Sequence, residues 1–321
     1  MNENINMSSV SAINHTSYTR SSVEQPANIR VVPLRHPGRW IAVAFVALML
    51  AFVLQAVFDN PNLQWPVFAN YLLHPMILKG LQLTVVLTIV VMIFASILGM
   101  IVALMMLSPS RLLSTPAVAF IWWFRGSPAL VQLIFWYSLA LLFPTLSLWI
   151  PGLGTIFSVS TNTVMTPVTA AVIALSLHEA GYMAEIIRNG LKSVNRGQTE
   201  AALCLGMKPS LLLRRITIPQ AMRVIIPPTG NEAISLLKTT SLVSTIAVGD
   251  LLYSAQAIYA RTFETIPLLL VVTFWYLVVV SIMTVGQGYL ERYYSRDETN
   301  RDGAGRQSRK VSKRSQKVEG V

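Results

Sequence analysis

Ionisable side chains inside a long apolar stretch are the first place where this sequence could do chemistry. The stretch at 167–187 matches the ~20 residues that a bilayer requires, and His178 and Glu179 fall near its midpoint. A carboxylate at that depth costs roughly 2.5–3.5 kcal/mol on insertion scales, so it is expected to face a polar cavity or a partner helix. Tyr182 lies one helical turn from both residues. These three residues indicate either a translocation path for a polar solute or a structural contact between helices, and the sequence leaves both open.

A second polar group lies in the apolar run at 232–252. Lys238 is expected to extend its ammonium group to the membrane surface. Asp250, near the other end of the run, is predicted to act as a gate or to lie in solvent. Three consecutive hydroxyl side chains give this helix a polar face that could line the same path: Thr239, Thr240 and Ser241.

Two further polar features are interpreted as structural. Glu185 and Arg188 lie one helical turn apart and are predicted to form an ion pair. The sequence F-R-G-S-P around Arg125 contains a glycine and a proline, which suit a sharp turn between a short helix and the next apolar run. Arg125 is expected to anchor this turn at lipid headgroups.

The sequence contains no arrangement typical of an enzyme or a metal site. His178 and Glu179 are the only candidate catalytic pair, and adjacent residues of a helix point about 100° apart. The single Cys204 excludes an intrachain disulfide and a cysteine-based metal site, and the four histidines are widely scattered. No phosphate-binding loop of the G-x-x-x-x-G-K-[ST] type occurs. We therefore predict no catalysis, no metal and no cofactor bound by this chain; any ATP that it uses must be bound by another polypeptide.

A short amphipathic segment at 198–219 separates two long apolar runs and reads Q-T-E-A-A-L-C-L-G-M-K-P-S-L-L-L-R-R-I-T-I-P. We call this segment the knob. Thr199 is predicted to be the N-cap of its first helix. Ala201, Ala202 and Leu205 are predicted to share one face of that helix.

The second half of the knob is predicted from its glycine and prolines. Gly206 can end the first helix in the left-handed conformation, which glycine adopts without steric cost. Pro209 suits the first turn of a second short helix, which Pro219 is expected to end. The product is a helix–glycine–helix unit with basic flanks.

The spacing of six residues in the knob resembles the cytoplasmic signature of ABC importer permeases. The family pattern reads E-A-A, three residues, G, nine residues, I-x-L-P, and this chain departs from it only in having Ile218 for leucine. In that family the knob sits in a groove on a separate nucleotide-binding subunit. The resemblance therefore implies ATPase-coupling residues at the matching positions: Glu200, Ala201, Ala202, Gly206, Ile216 and Pro219.

Three other segments resemble the polar amino acid branch of this family, which includes histidine, glutamate, glutamine and arginine permeases. They are F-R-G-S-P at 124–128, S-L-H-E-A-G-Y at 176–182 and G-N-E-A-I-S-L-L-K-T-T-S-L at 230–242. The resemblance implies an all-α membrane protein with the five-helix core of a type I ABC importer at 76–292.

Composition independently indicates a membrane protein. Of the 321 residues, 53% are hydrophobic and 12% are charged, which is about half the charged fraction of soluble domains. We predict six transmembrane helices, an interfacial helix at 112–124, a disordered tail at 1–38 and a basic tail at 293–321. The first helix, within 39–58, is an addition to the five-helix core. The apolar runs lie at 40–58, 77–107, 129–146, 167–187, 232–252 and 266–286.

Lysine and arginine are distributed very unevenly between the two ends of these runs. The connections 59–76 and 147–166 contain none, whereas the coupling loop at 188–230 and both tails are rich in them. Positive residues collect on the cytoplasmic side of membrane proteins, so the knob and both termini are predicted to be cytoplasmic. This asymmetry, with attraction to anionic membrane lipid, explains the formal net charge of +11 without nucleic acid.

These observations and the resemblance predict the permease subunit of an ATP-driven importer in a bacterial inner membrane. It would carry a polar amino acid or a related small solute by alternating access. The expected partners are an ABC ATPase subunit, an extracytoplasmic solute-binding protein, and a second copy of this permease or a related one. The alternative is a self-contained secondary transporter or channel, which would predict an internal repeat of broken helices; the two halves show no convincing repeat.

Overall fold

A computed structural model describes residues 37–150, 152 and 154–316 of the chain. The predicted tail at 1–38 lies almost wholly outside these residues, as does the end of the tail at 293–321. The chain divides into two units, one ending at Asp59 and one beginning at Asn60. In the first unit, α1 (Pro37–Phe58) has exposed and almost entirely apolar residues from 41 to 58. Its length and composition are those of a membrane span.

The second unit is built mainly from helices. Its first half contains α2 (Trp65–Leu72), α3 (Pro75–Leu107), α4 (Arg111–Gly126), α5 (Ala129–Tyr137) and α6 (Leu139–Leu142). A hairpin of β1 (Thr145–Ile150) and β2 (Gly154–Ser160) follows, and then α7 (Thr161–Val164) and α8 (Pro167–Lys192). Its second half contains α9 (Arg196–Cys204), α10 (Pro209–Leu212), a π turn (Leu213–Thr217), α11 (Ile218–Thr239), a 3-10 segment (Thr240–Ile246), α12 (Leu251–Thr262) and α13 (Thr265–Gln316).

Proline and a preceding polar side chain mark the start of the two central helices. Pro75 opens α3 and Pro167 opens α8, where a missing N–H costs nothing because the first donors of a helix have no internal partner. The His74 and Thr166 side chains accept hydrogen bonds from backbone N–H groups of the first turn.

Four helices within the described residues are long and apolar enough to cross a membrane: α1, α3, α8 and the first 30 residues of α13. Two bent pairs pass the same test, so the number rises to six if each pair is one span. One pair is α4 with α5, bent by 102°, and the other is the helix Pro209–Ile246 with α12, bent by 44°. The prediction of a predominantly helical membrane protein is confirmed, while the count of six depends on these bent pairs.

The predicted third span at 129–146 is wrong as a single helix. The α5 helix has nine residues, about 14 Å of rise, against a hydrocarbon core of about 30 Å. The predicted interfacial helix at 112–124 is present as α4 and supplies the remainder of this bent pair. After α6 the chain forms the β1–β2 hairpin, in which Thr145 pairs with Ser160 and Leu146 with Val159.

The helix that contains most of the predicted fifth span at 232–252 begins well before the span and ends at Ile246, before the predicted end. Helical structure runs from Pro209 to Ile246 without a break, although Pro227 and Pro228 lie inside α11. In a membrane, neighbouring helices and hydroxyl side chains re-satisfy backbone groups that an internal proline frees. One turn away, the Thr229 hydroxyl donates to the Ile225 carbonyl at 2.8 Å, next to the carbonyls of residues 223 and 224 that the two prolines leave without their α-helical donors.

The α8 helix lies at the centre of the second unit, where small residues allow close approach. It packs against α3, α4, α5 and α11. A Cβ atom added at Gly99 of α3 would lie 2.7 Å from the Cβ of Met183 on α8. One added at Gly190 of α8 would clash with Cγ1 of Ile225 on α11. Such contacts are typical of membrane helix pairs, which associate through tight packing.

Candidate functional site

The first helix of the knob starts one turn earlier than predicted. The N-cap of α9 is Asn195, whose side chain accepts a hydrogen bond from the Gly197 N–H at 2.8 Å. The prediction of Thr199 as the N-cap is therefore wrong, and Thr199 and Glu200 lie inside the helix. Asparagine caps at least as well as threonine, and α8 ends at Lys192, which leaves the first turn free to begin at Arg196.

The glycine of the knob behaves as predicted. Gly206 has φ +75°, in the left-handed region. Its N–H donates to the Leu203 carbonyl at 2.9 Å, and the Met207 N–H donates to the Ala202 carbonyl at 3.1 Å. This pair of bonds is the Schellman arrangement that ends helices at glycine.

The second half of the knob is confirmed at Pro209 and wrong at Pro219. Pro209 lies in the first turn of α10, as predicted. Pro219 does not end the helix, because the π turn before it changes the backbone pairing. The Ile218 N–H donates to the Leu213 carbonyl, five residues earlier. Pro219, which has no N–H to donate, lies in the first turn of α11, where α-helical hydrogen bonding resumes.

The knob has one anchored face and one exposed face. Ala202 is 3% exposed, whereas Leu205 is 83% exposed, and Glu200 and Ala201 are also exposed. The predicted common face of Ala201, Ala202 and Leu205 is therefore wrong for Ala202. The Gln220 amide of α11 donates to the Gln198 side chain of α9. Ile216 is half-buried in the π turn.

A second polar site lies where the α4–α5 turn contacts α8. The Gln132 amide nitrogen is 2.9 Å from the Phe124 carbonyl oxygen and 2.7 Å from the Ser127 hydroxyl, so this side chain fixes the turn. The same nitrogen is 3.2 Å from Nδ1 of His178. The His178 and Tyr182 rings are 5.4 Å apart between centroids. The turn and α8 therefore form one connected polar unit.

The Arg125 side chain lies over α8, and its position at lipid headgroups stays a prediction. Its guanidinium carbon is 5.0 Å from the Tyr182 ring centroid, within the range of a cation–π contact. Its Nη1 is 3.8 Å from Oε1 of Glu185. Oε2 of Glu185 accepts from Arg188 Nη2 at 2.6 Å, which confirms the predicted Glu185–Arg188 pair. Gly181 makes room for this arrangement, because a Cβ there would lie 2.9 Å from Cγ of Arg125.

Glu179 is the buried carboxylate of this unit. It is 5% exposed, and its Oε1 has no hydrogen-bond partner among the described residues. It interacts electrostatically with Glu232 of α11, which in turn interacts with Arg125. Glu232 was not predicted as a site residue, and Arg125 was not expected to contact α8. Both residues lie in segments that resemble amino acid permeases, and this resemblance was the sequence feature that could have identified them.

The three consecutive hydroxyl residues predicted to line the path use their hydroxyl groups on the local backbone. Thr239 donates to the Ser235 carbonyl, Thr240 to that of Leu237 and Ser241 to that of Lys238, at 3.1, 2.7 and 2.8 Å. Thr240 is completely buried. In this conformation the hydroxyl groups therefore stabilise the transition from α11 to the 3-10 segment.

Asp250 is neither solvated nor free. It is completely buried and is the N-cap of α12, where its carboxylate accepts from the Tyr253 N–H at 2.9 Å and the Leu252 N–H at 3.3 Å. The prediction of a solvated residue is wrong for this reason. Lys238 is exposed. Within the described part of the chain, no cluster of three histidine, cysteine, aspartate or glutamate residues could hold a metal ion.

The bent-helix core and the knob define a membrane-spanning transport subunit. A family model described as "Binding-protein-dependent transport system inner membrane component" matches residues 95–296. The chain belongs to this family and is the permease subunit of an ABC importer, a class in which a separate ATPase uses ATP.

Two curated relatives and one solved structure illustrate the similarity. The Arginine transport system permease protein ArgU of Corynebacterium glutamicum is 42% identical over 280 residues, 87% of each chain. The Probable amino-acid permease protein YxeN of Bacillus subtilis is 39% identical over 227 residues, 69% of this chain and 92% of the relative. A crystal structure of an amino acid ABC transporter with histidines aligns with TM-score 0.58 and 32% identity, covering 68% of this chain and 94% of that one.

Proposed function

We propose that this permease carries a polar amino acid inward by alternating access, driven by an ATPase subunit that binds the knob. One observation carries the proposal: α9 joins the helix that holds the buried Glu179 to the helix that holds the half-buried Glu232. The α8 helix contains Glu179 and leads into α9, and the continuous helix from Pro209 contains Glu232 and leads out of it. A force on α9 therefore acts on both sides of the polar unit.

Two contacts support transmission of that force. The Gln198–Gln220 hydrogen bond ties α9 to the start of α11. Next to it, Gly190 and Ile225 bring α8 and α11 too close together to slide independently. Ala202 is buried on the side of α9 that faces the rest of the chain, so the exposed side around Leu205 is the surface that would contact the ATPase. Glu200, Ala201, Gly206, Ile216 and Pro219 complete the proposed coupling residues.

The polar unit supports an amino acid as the solute. A buried carboxylate favours the ammonium group that every amino acid carries. Glu179 is buried, and within the described part of the chain its Oε1 has no hydrogen-bond partner. His178 and Tyr182 lie beside it, and we keep Thr239, Thr240 and Ser241 as path residues for another conformation of the cycle. Relatives named for arginine and L-cystine transport agree with a polar amino acid.

The remaining partners follow from the class and from the charge distribution. A second copy or a related permease would complete the path, and an extracytoplasmic binding protein would deliver the solute. The lysine-free and arginine-free connections 59–76 and 147–166 would face that protein, and the knob and both termini would be cytoplasmic. The five-helix core is proposed at 76–292, with the first span at 39–58 as an addition and the basic tail at 293–321 in the cytoplasm.

The test is co-purification in mild detergent with the ATPase and binding-protein subunits of the same transport system, and reconstitution in vesicles. ATP hydrolysis and uptake are then measured across the amino acids. We expect one or a few polar amino acids to stimulate both. Uptake that persists after ATP depletion would show a secondary transporter instead.

A further inference from the structure

The β1–β2 hairpin has two chemically different faces. Residues that oppose each other on two strands lie on the same side of the sheet, and successive pairs alternate between the two sides. Two opposing pairs on one side carry only hydroxyl groups: Thr145 with Ser160 and Ser147 with Ser158. The pair between them, Leu146 with Val159, is apolar and lies on the other side. The hairpin is therefore amphipathic.

A register shift enlarges the apolar side. Leu148 pairs with Phe157 and Trp149 pairs with Thr155, so Ile156 is an extra residue in β2. Such a bulge interrupts the alternation and re-aims a side chain, because two residues of one strand oppose a single residue of the other. Strict alternation would place Ile156 on the hydroxyl side, and the bulge is expected to turn it toward the side of Phe157. The residues on this side define what we call the apolar face: Leu146, Ile156, Phe157 and Val159.

The described part of the chain covers little of the apolar face. Phe157 and Ile156 are 57% and 54% exposed. Apart from each other, the two strands pack mainly against α7. The base of the hairpin is nevertheless fixed, since the Thr161 hydroxyl donates to the Phe143 carbonyl and the Thr161 N–H donates to that of Pro144. A two-stranded hairpin alone is marginally stable in water, so an apolar face held in this way is expected to have a partner.

The sequence around the hairpin contains no charge. From 126 to 177 there is no aspartate, glutamate, lysine, arginine or histidine. Three apolar residues that are more than half exposed lead into the hairpin: Leu141, Leu142 and Phe143. They follow α5, part of a bent pair that qualifies as a membrane span, and the exposed residues of α5 include Ile134 and Phe135. The apolar surface of this span, which would face lipid, thus continues onto the hairpin.

Size and hydrogen bonding decide between the possible partners. Strands of six and seven residues offer a face of roughly 20 by 10 Å, or about 200 Å². A stable protein–protein interface buries about 800 Å² on each partner, so the apolar face is too small to hold a protein alone. The hairpin also cannot lie inside the hydrocarbon core, where the outer N–H and C=O groups of a two-stranded sheet would have no hydrogen-bond partners. The boundary between headgroups and acyl chains meets both conditions.

We propose that the β1–β2 hairpin is a membrane-interface anchor. Its apolar face lies on the acyl chains just below the headgroups, and its hydroxyl face contacts headgroups and water, as in other amphipathic elements that lie in the plane of a membrane. The partner is a lipid surface of any charge, because the hairpin carries no ionisable side chain. In the proposed orientation this is the extracytoplasmic surface. The inference is independent of the solute that the permease carries.

The experiment places one environment-sensitive fluorophore on the hairpin of the permease–ATPase complex in phosphatidylcholine vesicles. The chain contains a single cysteine, so Cys204→Ser supplies the background. Cysteine is then introduced at four consecutive positions: Ile156→Cys, Phe157→Cys, Ser158→Cys and Val159→Cys. Quenching by brominated acyl chains reports contact with lipid, and quenching by iodide reports contact with water.

Labels at 156, 157 and 159 should lose fluorescence in brominated lipid and resist iodide, and the label at 158 should do the reverse. Ser158→Cys is the matched control, because this residue lies between two residues of the apolar face. Quenching by brominated lipid should not change when phosphatidylglycerol is added, since no charge takes part. If a substitution in β2 prevents assembly, Leu146→Cys and Thr145→Cys make the same comparison on β1.

Four results would overturn the anchor. Iodide quenching at all four positions would place the whole hairpin in water, and bromolipid quenching at all four would place it in the hydrocarbon core. Protection of the 157 label from iodide only after the binding protein is added would show that this protein covers the apolar face. Self-quenching at 157 that disappears when unlabelled permease is mixed in would show that a second copy covers it. Because none of these readouts depends on uptake, loss of transport would reject the proposed function and leave the anchor standing.

Discussion

Substitutions at Gly206 can distinguish two reasons for a glycine at this position: the left-handed backbone and the close approach of a partner protein. Gly206 needs φ +75°, and a Cβ atom added there has no neighbour within 4 Å in the isolated chain. An alanine would therefore suffer only the left-handed backbone penalty of roughly 1–2 kcal/mol. Asparagine tolerates this conformation much better but carries a longer side chain. Any steric effect of asparagine must come from a surface that covers the knob.

The Gly206 variants should consequently rank in opposite order for the stability of the knob and for transport. Amide hydrogen exchange of the knob in the isolated subunit should be fastest for Gly206→Ala, because strain opens the end of α9. Uptake and ligand-stimulated ATP hydrolysis in vesicles should be lowest for Gly206→Asn and Gly206→Asp, because their side chains block the ATPase surface. Gly206→Asp should also place a negative charge at a helix C-terminus, where it is unfavourable.

One outcome would refute this reasoning. If Gly206→Asn transports like the wild type and Gly206→Ala transports worst, strain alone explains the glycine, and no surface approaches it closely. Gly126→Ala is a suitable control, since a Cβ there also meets no neighbour within 4 Å and the residue has no left-handed requirement.

Three further predictions concern packing and capping, and each is checked by the thermal stability of the purified subunit. Gly190→Ala should destabilise the subunit, because overpacking against Ile225 costs about 1–3 kcal/mol and outweighs a helix-propensity gain of about 1 kcal/mol. In the double variant, Ile225→Ala should relieve part of that loss. Strictly additive effects of the two substitutions would contradict the contact. Asp250→Ala should cost about 1 kcal/mol through loss of the α12 cap, while Asp250→Asn should cost much less; equal losses would argue against capping. Gly99→Ala should be more damaging than Gly126→Ala, since the new methyl group would meet a Cβ atom of α8 that cannot rotate away; similar stabilities would refute the close α3–α8 contact.

The knob was largely predictable because its conformation is encoded locally. A left-handed glycine followed by a proline at a helix start needs no tertiary information. The N-cap was wrong because Thr199 and Asn195 are both good caps, and the choice depends on where α8 ends. Pro219 was misread as a helix end because a π turn cannot be inferred from proline spacing.

The polar unit was only half predictable. Depth in an apolar stretch identified His178 and Glu179, since a carboxylate in a membrane requires an explanation. Their partners could not be found in this way, because Arg125 and Glu232 lie on other elements and the sequence does not fix helix rotation. The burial of Asp250 was missed for the same reason.

The β1–β2 hairpin was missed because a short apolar run has the same composition in a strand and in a membrane helix. The sharp turn between α4 and α5, in contrast, was predicted from its glycine and proline and is confirmed by the 102° bend. The residues from 139 to 150 continue the apolar character of α5, so a single span was expected. Pro144 is the break that separates the helix from the hairpin, and Gly152 and Gly154 mark the turn between the two strands.

The π turn at Leu213–Thr217 determines the direction, around the α11 axis, in which α9 points its exposed face. Such a turn holds one residue more than an α-helical turn, and each residue of an α-helix corresponds to about 100° of rotation and about 1.5 Å of rise. Deleting one residue here would restore ordinary winding and turn α9 by roughly that angle around the α11 axis, while the membrane-embedded part of α11 kept its place. The protein would then present the proposed ATPase-binding surface in another direction, while the buried contacts of α11 beyond the turn stayed in place.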